Sequence, residues 1–201
     1  MVKIYSENPN PKAITRVAEI LRNGGIVIYP TDTVYAIGCD IFQPRAVEKV
    51  CKFKGIDPQK ALLSMICYDL SNISEYAKID NTTFKLLKNN LPGPFTFILN
   101  GSSKLPKLFK DRKTIGIRVP NNDIIRALVQ ELGNPMLTTS IKDECDITEY
   151  ETDPELLEEK YGKIVDLVID GGFGGIQAST IVDCTGDEPT IVREGAGVLV
   201  L

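Results

Sequence analysis

The sharpest chemical signal in the sequence is a hydroxyl-rich loop that directly follows a predicted strand. The apolar run 26–29 reads as a buried strand, and the chain then turns at Pro30 into a segment rich in threonine and tyrosine. A loop at the end of a strand can present hydroxyl and backbone N–H groups to a small ligand. The alternative is an ordinary turn whose threonines cap backbone groups. The candidate ligand contacts in this loop are Thr31, Thr33 and Tyr35.

Two lysines at the end of a predicted helix are candidates for holding phosphate. Lys52 and Lys54 immediately precede Gly55, and lysine ammonium groups there could act as point charges toward phosphate oxygens. The competing interpretation is a solvated helix end, where the helix dipole favours cations. Arg118 ends an apolar strand shortly before Pro120, so we expect its side chain to face a site.

Five further cations fall between residues 104 and 113. They could contact the phosphates of RNA, or they could simply keep this surface soluble. The five are Lys104, Lys107, Lys110, Arg112 and Lys113.

The glycine-rich segment 171–175 is the next candidate, with Ser179 close behind it. Glycines allow backbone amides to converge on an anion, and the hydroxyls of Ser179 and Thr180 could add donors. The segment is not a phosphate-binding loop of the Gly-Lys-Ser/Thr type, because no such sequence follows. A flexible hairpin is the simpler reading. Arg193 ends the last predicted strand, where a structural ion pair is the alternative to ligand binding.

The composition excludes several classes of chemistry. The chain has no histidine, which removes Ser-His-Asp and Cys-His catalysis and histidine-ligated metal sites. A net charge of −4 argues against a generic polyanion binder. The five cysteines are scattered without a CxxC pair, as expected of buried free thiols in a reducing compartment. With neither a signal-peptide pattern nor an apolar run of about 18 residues, a cytoplasmic location without membrane contact is predicted.

The order of the predicted elements indicates the fold class. Helices and apolar strands alternate in the first part of the chain, whereas strands cluster in the last part. This pattern favours an α/β fold in which helices pack on a mixed sheet. A length of 201 residues predicts a single domain over residues 1–201.

Read in order, the motifs resemble the YrdC/YciO family, whose members are threonylcarbamoyl-AMP synthases or close relatives. The resemblance runs from Gly24 to Gly197. It implies a twisted, mostly mixed β-sheet flanked by helices around a concave basic cavity. The segments that carry it are GGIVIYPTDTVYAIGCD, KFKG, PGPFTFIL, TIGIRVP, TTSIK, ASTIVD and IVREGAG.

The resemblance also implies a reaction. Synthases of this family are nucleotidyltransferases that condense L-threonine, bicarbonate and ATP, with Mg²⁺, into threonylcarbamoyl-AMP and pyrophosphate for tRNA modification. No protein nucleophile is needed, which agrees with the absence of histidine. By resemblance, Thr31, Thr33 and Tyr35 line the pocket for threonine and its carbamate, and Lys52 and Lys54 contact phosphate. The residues implied to hold carboxylate, phosphate or ribose groups are Arg118, Ser140, Ser179 and Arg193, and no protein metal cage is implied.

Two departures from the family pattern bear on activity. Ile56 stands where an arginine is usual, and Lys142 stands where an asparagine is usual, which resembles the YciO-type branch. Loss of one anion clamp can cost about 2–4 kcal/mol of transition-state binding. Two alternatives therefore stay open beside the synthase: a protein of the same fold that binds double-stranded RNA or tRNA, and a hydrolase of the adenylate. Both a monomer and a homodimer are compatible with the sequence.

Overall fold

Six helices and eleven strands are present in the part of the chain that the computed structural model describes, residues 1–57, 63–106, 109, 113–141 and 151–201. The helices are α1 (Pro11–Arg22), α2 (Pro44–Lys54), α3 (Leu70–Tyr76), α4 (Asn81–Asn90), α5 (Asp123–Leu132) and α6 (Pro154–Tyr161). The strands are β1 (Val2–Lys3), β2 (Val27–Tyr29), β3 (Ala36–Asp40), β4 (Ser64–Ile66), β5 (Ala77–Lys78), β6 (Phe95–Gly101), β7 (Thr114–Arg118), β8 (Met136–Ser140), β9 (Leu167–Asp170), β10 (Thr180–Asp183) and β11 (Thr190–Arg193). None of these helices is long and apolar enough to cross a membrane.

Local sequence explains where the helices begin and end. Asn10 caps α1, because its side-chain oxygen accepts the N–H of Lys12 at 3.0 Å and that of Ala13 at 3.4 Å. Helix α2 ends at Gly55, whose φ of 66° lies in the left-handed region that glycine adopts without strain. That C-terminus fixes the position of the lysines in the last turn of α2.

The strands form one mixed sheet, as the sequence predicted. Their order is β1-β9-β2-β3-β8-β4-β7-β6-β10-β11, and β5 pairs with β6. The pairs β1/β9, β9/β2, β4/β7 and β6/β10 are parallel, and the other pairs are antiparallel. The sheet therefore brings the last strands of the chain beside β6 and β7, which the chain forms much earlier.

Helices cover the two faces of the sheet unequally. On one face, α2, α3, α4 and α6 pack over an apolar cluster that reaches from β2 to β10. On the other face, α1 and α5 cover β9, β2, β3, β8 and β4. Among the described residues, this second cluster takes no side chain from β7, β6, β10 or β11.

The uncovered part of the second face is polar. Ile66, a member of the second cluster, pairs in register with Arg118, so both side chains lie on this face. Gly116 lies two residues earlier in β7, and a Cβ added there would come within 2.5 Å of Ser64 Oγ and 3.3 Å of Thr96 Cγ2. We call this region, with Ser64, Thr96, Gly116 and Arg118, the polar face.

Candidate functional site

Arg118 is the buried cation at the centre of the polar face. It is only 7% exposed, and its Nη2 donates to Asp32 Oδ1 and to Thr33 Oγ1, each at 3.1 Å. The second carboxylate oxygen of Asp32 accepts the N–H of Asn121 at 2.8 Å, which fastens the loop after β2 to the start of α5. Burial lowers the pKa of Arg118 and the Asp32 carboxylate opposes that change, so the guanidinium stays charged.

One edge of the Arg118 guanidinium is left without a protein acceptor. Its Nε is buried and has no hydrogen-bond partner in the described part of the chain. A buried donor in this state costs about 1–3 kcal/mol, and more when the group is charged. An oxygen of an anionic ligand placed there would accept the N–H of Nε, while Nη2 keeps its bonds to Asp32 and Thr33.

Arg193 brings a second guanidinium to the same place. Burial lowers the pKa of Arg193, and the positive charge of Arg118 lowers it further. The Arg193 Nε donates to the carbonyl oxygen of Ser179 at 3.2 Å. The Ser179 hydroxyl lies 2.8 Å from the Thr96 hydroxyl on the polar face. We call Arg118, Arg193, Thr33 and Ser179 the arginine centre.

We call residues 31–35 the threonine loop. The hydroxyl groups of its two threonines make different hydrogen bonds. Thr31 Oγ1 donates to the carbonyl of Val34 at 2.8 Å and accepts the N–H of Thr33 at 3.0 Å, so this hydroxyl forms the turn. The Thr33 hydroxyl lies 3.0 Å from that of Thr31 and accepts from Arg118. Thr33 therefore belongs to the arginine centre directly, and Thr31 supports it.

Tyr35 anchors the glycine-rich segment to the threonine loop. Its hydroxyl donates to the carbonyl of Gly172 at 2.7 Å and accepts the N–H of Gly171 at 3.2 Å. Burial raises the pKa of Tyr35 to about 12, so the phenol stays protonated at neutral pH and donates. The structure thus places Tyr35 beneath the loop, with its hydroxyl engaged by backbone.

A pH dependence of stability follows from Tyr35. In the unfolded chain the phenol ionises near pH 10, whereas in the folded protein it remains protonated up to about pH 12. The unfolded state therefore binds fewer protons between pH 10 and 12, and the free energy of unfolding falls as the pH rises through this window. We expect the stability difference between the protein and Tyr35→Phe, measured by urea unfolding, to shrink by up to about 2 kcal/mol from pH 9 to 12. A constant difference would contradict the assignment.

Thr180, whose hydroxyl the sequence offered as a possible donor to an anion, bonds instead to the backbone of the segment after β11. It is 1% exposed, its hydroxyl donates to the carbonyl of Gly197, and the same oxygen accepts the N–H groups of Gly195 and Gly197 at 3.0 Å. A Cβ on Gly195 would lie 2.3 Å from the carbonyl oxygen of Ala178. The segment after β11 is thereby held against the start of β10, which positions Arg193 beside Ser179.

The remaining predicted residues lie on a neighbouring part of the fold. Lys54 Nζ contacts the carbonyl oxygen of Ile141 at 3.4 Å, and Ser140, one residue earlier, pairs with Ala36 of β3. Lys52 is exposed in the same helical turn. These lysines line a cavity of about 730 Å³, which we call the lysine cavity; its walls are Ile26, Lys49, Lys52, Phe53, Lys54, Ile141, Tyr161 and Ile164.

The two departures from the family pattern have different outcomes. Ile56 is partly buried and packs against the apolar cluster beneath the sheet, so an apolar contact occupies the place of the usual cation. Lys142 lies outside the described residues. In the basic segment 104–113, the Lys104 Nζ lies 3.9 Å from the Glu75 Oε2. Lys113 is among the described residues, whereas Lys107, Lys110 and Arg112 lie outside them.

The described residues offer no evident metal or thiol chemistry. Within the described ranges, no three His, Cys, Asp or Glu side chains gather closely enough to hold a metal ion. Cys39 and Cys67 are buried, and burial raises the pKa of both thiols. The groups that the described part of the site presents are cations, hydroxyl groups and backbone amides.

Comparisons with known proteins place this geometry in a family. Residues 19–195 match the family model of Sua5, YciO and YrdC proteins, described as telomere recombination. The uncharacterized protein YciO of Escherichia coli K12 is 44% identical over 197 residues, which cover 96% of this chain and 94% of that protein. A Methanocaldococcus jannaschii protein, provisionally named threonylcarbamoyl-AMP synthase, is 34% identical over 201 residues, with 97% and 92% covered.

Solved structures agree with these sequence matches. The crystal structure of E. coli YciO superposes with a TM-score of 0.89 at 42% identity, covering 98% of this chain and 96% of that one. The crystal structure of P. abyssi Sua5 complexed with L-threonine gives a TM-score of 0.84 at 25% identity. It covers 96% of this chain and 57% of the Sua5 chain.

Proposed function

Because the chain belongs to the Sua5/YciO/YrdC family, we propose that it binds L-threonine and ATP and joins them with bicarbonate into threonylcarbamoyl-AMP, releasing pyrophosphate. The observation that carries the proposal is the arginine centre. Arg118 lies on the polar face, Arg193 bonds to Ser179 beside Thr96 of that face, and the Arg118 Nε has no acceptor in the described part of the chain. Such an arrangement is stabilised by an anionic ligand.

The proposed ligands match the arginine centre in charge. L-Threonine carries a carboxylate, and its carbamate adds a second anionic group, both suited to the open edge of Arg118. Support for threonine comes from the Sua5 structure complexed with L-threonine, whose fold superposes on this chain. Arg193, whose Nε donates to the carbonyl oxygen of Ser179, would then meet a phosphate of ATP.

The proposed reaction needs positioning and charge neutralisation. The amine of threonine forms an N–C bond with bicarbonate and water leaves, which gives the carbamate. A carbamate oxygen then forms a bond to the α-phosphorus while the bond from that phosphorus to pyrophosphate breaks. Arg118 and Arg193 would stabilise the charge on the reacting oxygens, and the hydroxyls of Thr33 and Ser179 would orient them.

Magnesium would enter with the phosphates of ATP, as is usual for nucleotide substrates. Asp32 is the carboxylate nearest the arginine centre in these contacts, and both of its oxygens are engaged, one by Arg118 and one by the Asn121 N–H. We therefore assign Asp32 to Arg118 and not to the metal.

Ile56 supports a second candidate, hydrolysis of an adenylate. The usual cation at this position is replaced by a side chain that packs on the core, which leaves Lys54 as the nearby cation for the outer phosphates. An adenylate lacks those phosphates, so the replacement weakens the hold on ATP more than the hold on threonylcarbamoyl-AMP. Binding residues for the adenylate, Arg118 and Arg193, remain.

The reaction itself tests the proposal. We would incubate the protein with L-threonine, bicarbonate, ATP and Mg²⁺, and measure threonylcarbamoyl-AMP and pyrophosphate by chromatography. Lys54→Ala is expected to lower the rate about tenfold to a hundredfold, since a cation near the outer phosphates is lost. Lys88→Ala is the matched control, because Lys88 is an exposed lysine near the end of another helix, and no change is expected.

The alternatives are separated in the same assay. If no product forms but supplied threonylcarbamoyl-AMP is consumed, the synthase proposal is wrong and the hydrolase is supported. If both reactions fail, neither proposal stands. RNA binding would then be the hypothesis to examine, through an affinity that falls steeply with salt.

A further inference from the structure

Two large apolar side chains stand in solvent beside the arginine centre. Phe173 is 79% exposed and Ile176 is 68% exposed, and both lie on the loop 171–176, which we call the glycine loop. Single exposed apolar residues are common and need no explanation. Here, however, two of them occur within four residues on one loop next to a candidate binding site.

The backbone of the glycine loop is fastened at several points. Beyond the two bonds from Tyr35, the N–H of Gly172 donates to Asp170 Oδ1 at 3.0 Å, and that of Gly174 donates to the carbonyl of Thr152 at 2.8 Å. The N–H of Gly175 donates to the carbonyl of Thr33 at 2.7 Å. Because these hydrogen bonds hold the backbone of the glycine loop, Phe173 has a defined position.

The glycines let the loop lie directly against the threonine loop. A Cβ on Gly174 would come within 2.7 Å of the Tyr35 ring, and a Cβ on Gly175 would come within 2.6 Å of the Thr33 carbonyl oxygen. Thr33 in turn bonds to Arg118. Since Phe173 is two residues from Gly175, its Cα lies within about 7 Å of that glycine. Phe173 therefore belongs to a segment that lies against the threonine loop, which supplies Thr33 to the arginine centre.

We propose that Phe173, with Ile176 beside it, is the platform on which the purine base of the bound nucleotide stacks. This inference rests on the proposed function. The polar groups of the arginine centre suit the carboxylate and phosphate groups of the substrates, whereas the base is the large flat part of ATP. An anchored phenyl ring offers such a base an aromatic face, and stacking on it requires no particular pattern of donors and acceptors.

The platform predicts which ligands depend on it. Phe173→Ala is expected to weaken the binding of both ATP and GTP about tenfold, because each purine loses its stacking partner. Binding of inorganic tripolyphosphate, which has no base, is expected to change by less than about twofold. Phe173→Tyr keeps the ring and is expected to retain ATP affinity. Phe84→Ala removes an exposed phenyl ring from α4, away from the glycine loop, and serves as the matched control.

Calorimetric titration of the full chain with ATP, GTP and tripolyphosphate in Mg²⁺ tests the inference, with thermal unfolding to show that each variant folds. Equal ATP affinity in Phe173→Ala and the unchanged protein would overturn the platform and leave the proposed function standing. Equal losses of affinity for ATP and for tripolyphosphate in Phe173→Ala would also overturn the platform, since Phe173 would then act on the phosphate contacts. A protein that binds no ATP at all would overturn the proposed function together with the platform.

Discussion

Replacing Arg118 with lysine is expected to lower threonylcarbamoyl-AMP formation by about a hundredfold to a thousandfold. Lysine keeps one positive charge near Asp32 but has no Nε–H group, so the donor that would bond to a carboxylate or phosphate is lost. Loss of a single well-placed donor to a developing charge costs about 3–4 kcal/mol. The rate with saturating ATP and the dissociation constant for L-threonine, measured by calorimetry, are the two readouts.

Stability must be separated from binding in this experiment. Arg118→Met would leave the Asp32 carboxylate buried without its ion-pair partner, which destabilises a protein by about 3–5 kcal/mol. Adding Asp32→Asn to Arg118→Met removes that charge and is expected to recover most of the stability, measured by urea unfolding. Threonine binding should stay lost in the double variant. Normal threonine affinity in a folded Arg118→Lys or double variant would contradict the assignment of Arg118.

The second large effect is expected from Gly38→Ala, on stability. Gly38 lies in β3 on the same face as Tyr29 and Thr138, and a Cβ there would come within 2.2 Å of the Leu137 carbonyl oxygen and 2.6 Å of the Tyr29 hydroxyl oxygen. The Tyr29 hydroxyl donates to Thr138 Oγ1 at 2.7 Å, so relief of the clash would break a buried hydrogen bond or distort the β3/β8 pairing. Overpacking of this kind lowers the free energy of unfolding by about 3 kcal/mol.

A matched glycine provides the control. A Cβ on Gly186 would meet only the Glu188 carbonyl oxygen, at 3.9 Å, so Gly186→Ala is expected to change stability by less than about 0.5 kcal/mol. Urea unfolding of both variants gives the comparison. If Gly38→Ala proved as stable as Gly186→Ala, the close packing of Tyr29 beneath the polar face would be wrong.

Local sequence predicted the elements but not all of their limits. The two ends of α1 were predicted correctly from Asn10 before it and from Gly24 and Gly25 after it. A helix cap and a helix stop are local signals that the sequence shows directly. The residues 2–5 predict a strand, of which only Val2–Lys3 forms, and the two-residue strand β5 leaves no periodic pattern that would predict it. The apolar run 61–67 also predicts a strand, and the strand found there is Ser64–Ile66, with residues 61 and 62 outside the described ranges.

The arginine centre shows what the sequence could not predict. Arg118 was a candidate because it ends an apolar strand, and that signal is local. Its proximity to Arg193 depends on the strand order β7-β6-β10-β11, which no local pattern contains. Asp32 was overlooked although it stands between the two threonines, because nothing in the sequence marked it as the partner of an arginine 86 residues away. The Thr180 hydroxyl was expected as a possible donor to an anion, whereas it bonds to backbone groups of Gly195 and Gly197, which only the fold brings beside it.

The central claim is that the arginine centre holds the anionic groups of L-threonine and ATP, and a crystal structure with L-threonine and a non-hydrolysable ATP analogue tests it most directly. The account predicts a carboxylate oxygen within hydrogen-bond distance of Arg118 Nε and a phosphate beside Arg193. L-Threonine found in the lysine cavity instead, with Arg118 bonded only to Asp32 and Thr33, would contradict it.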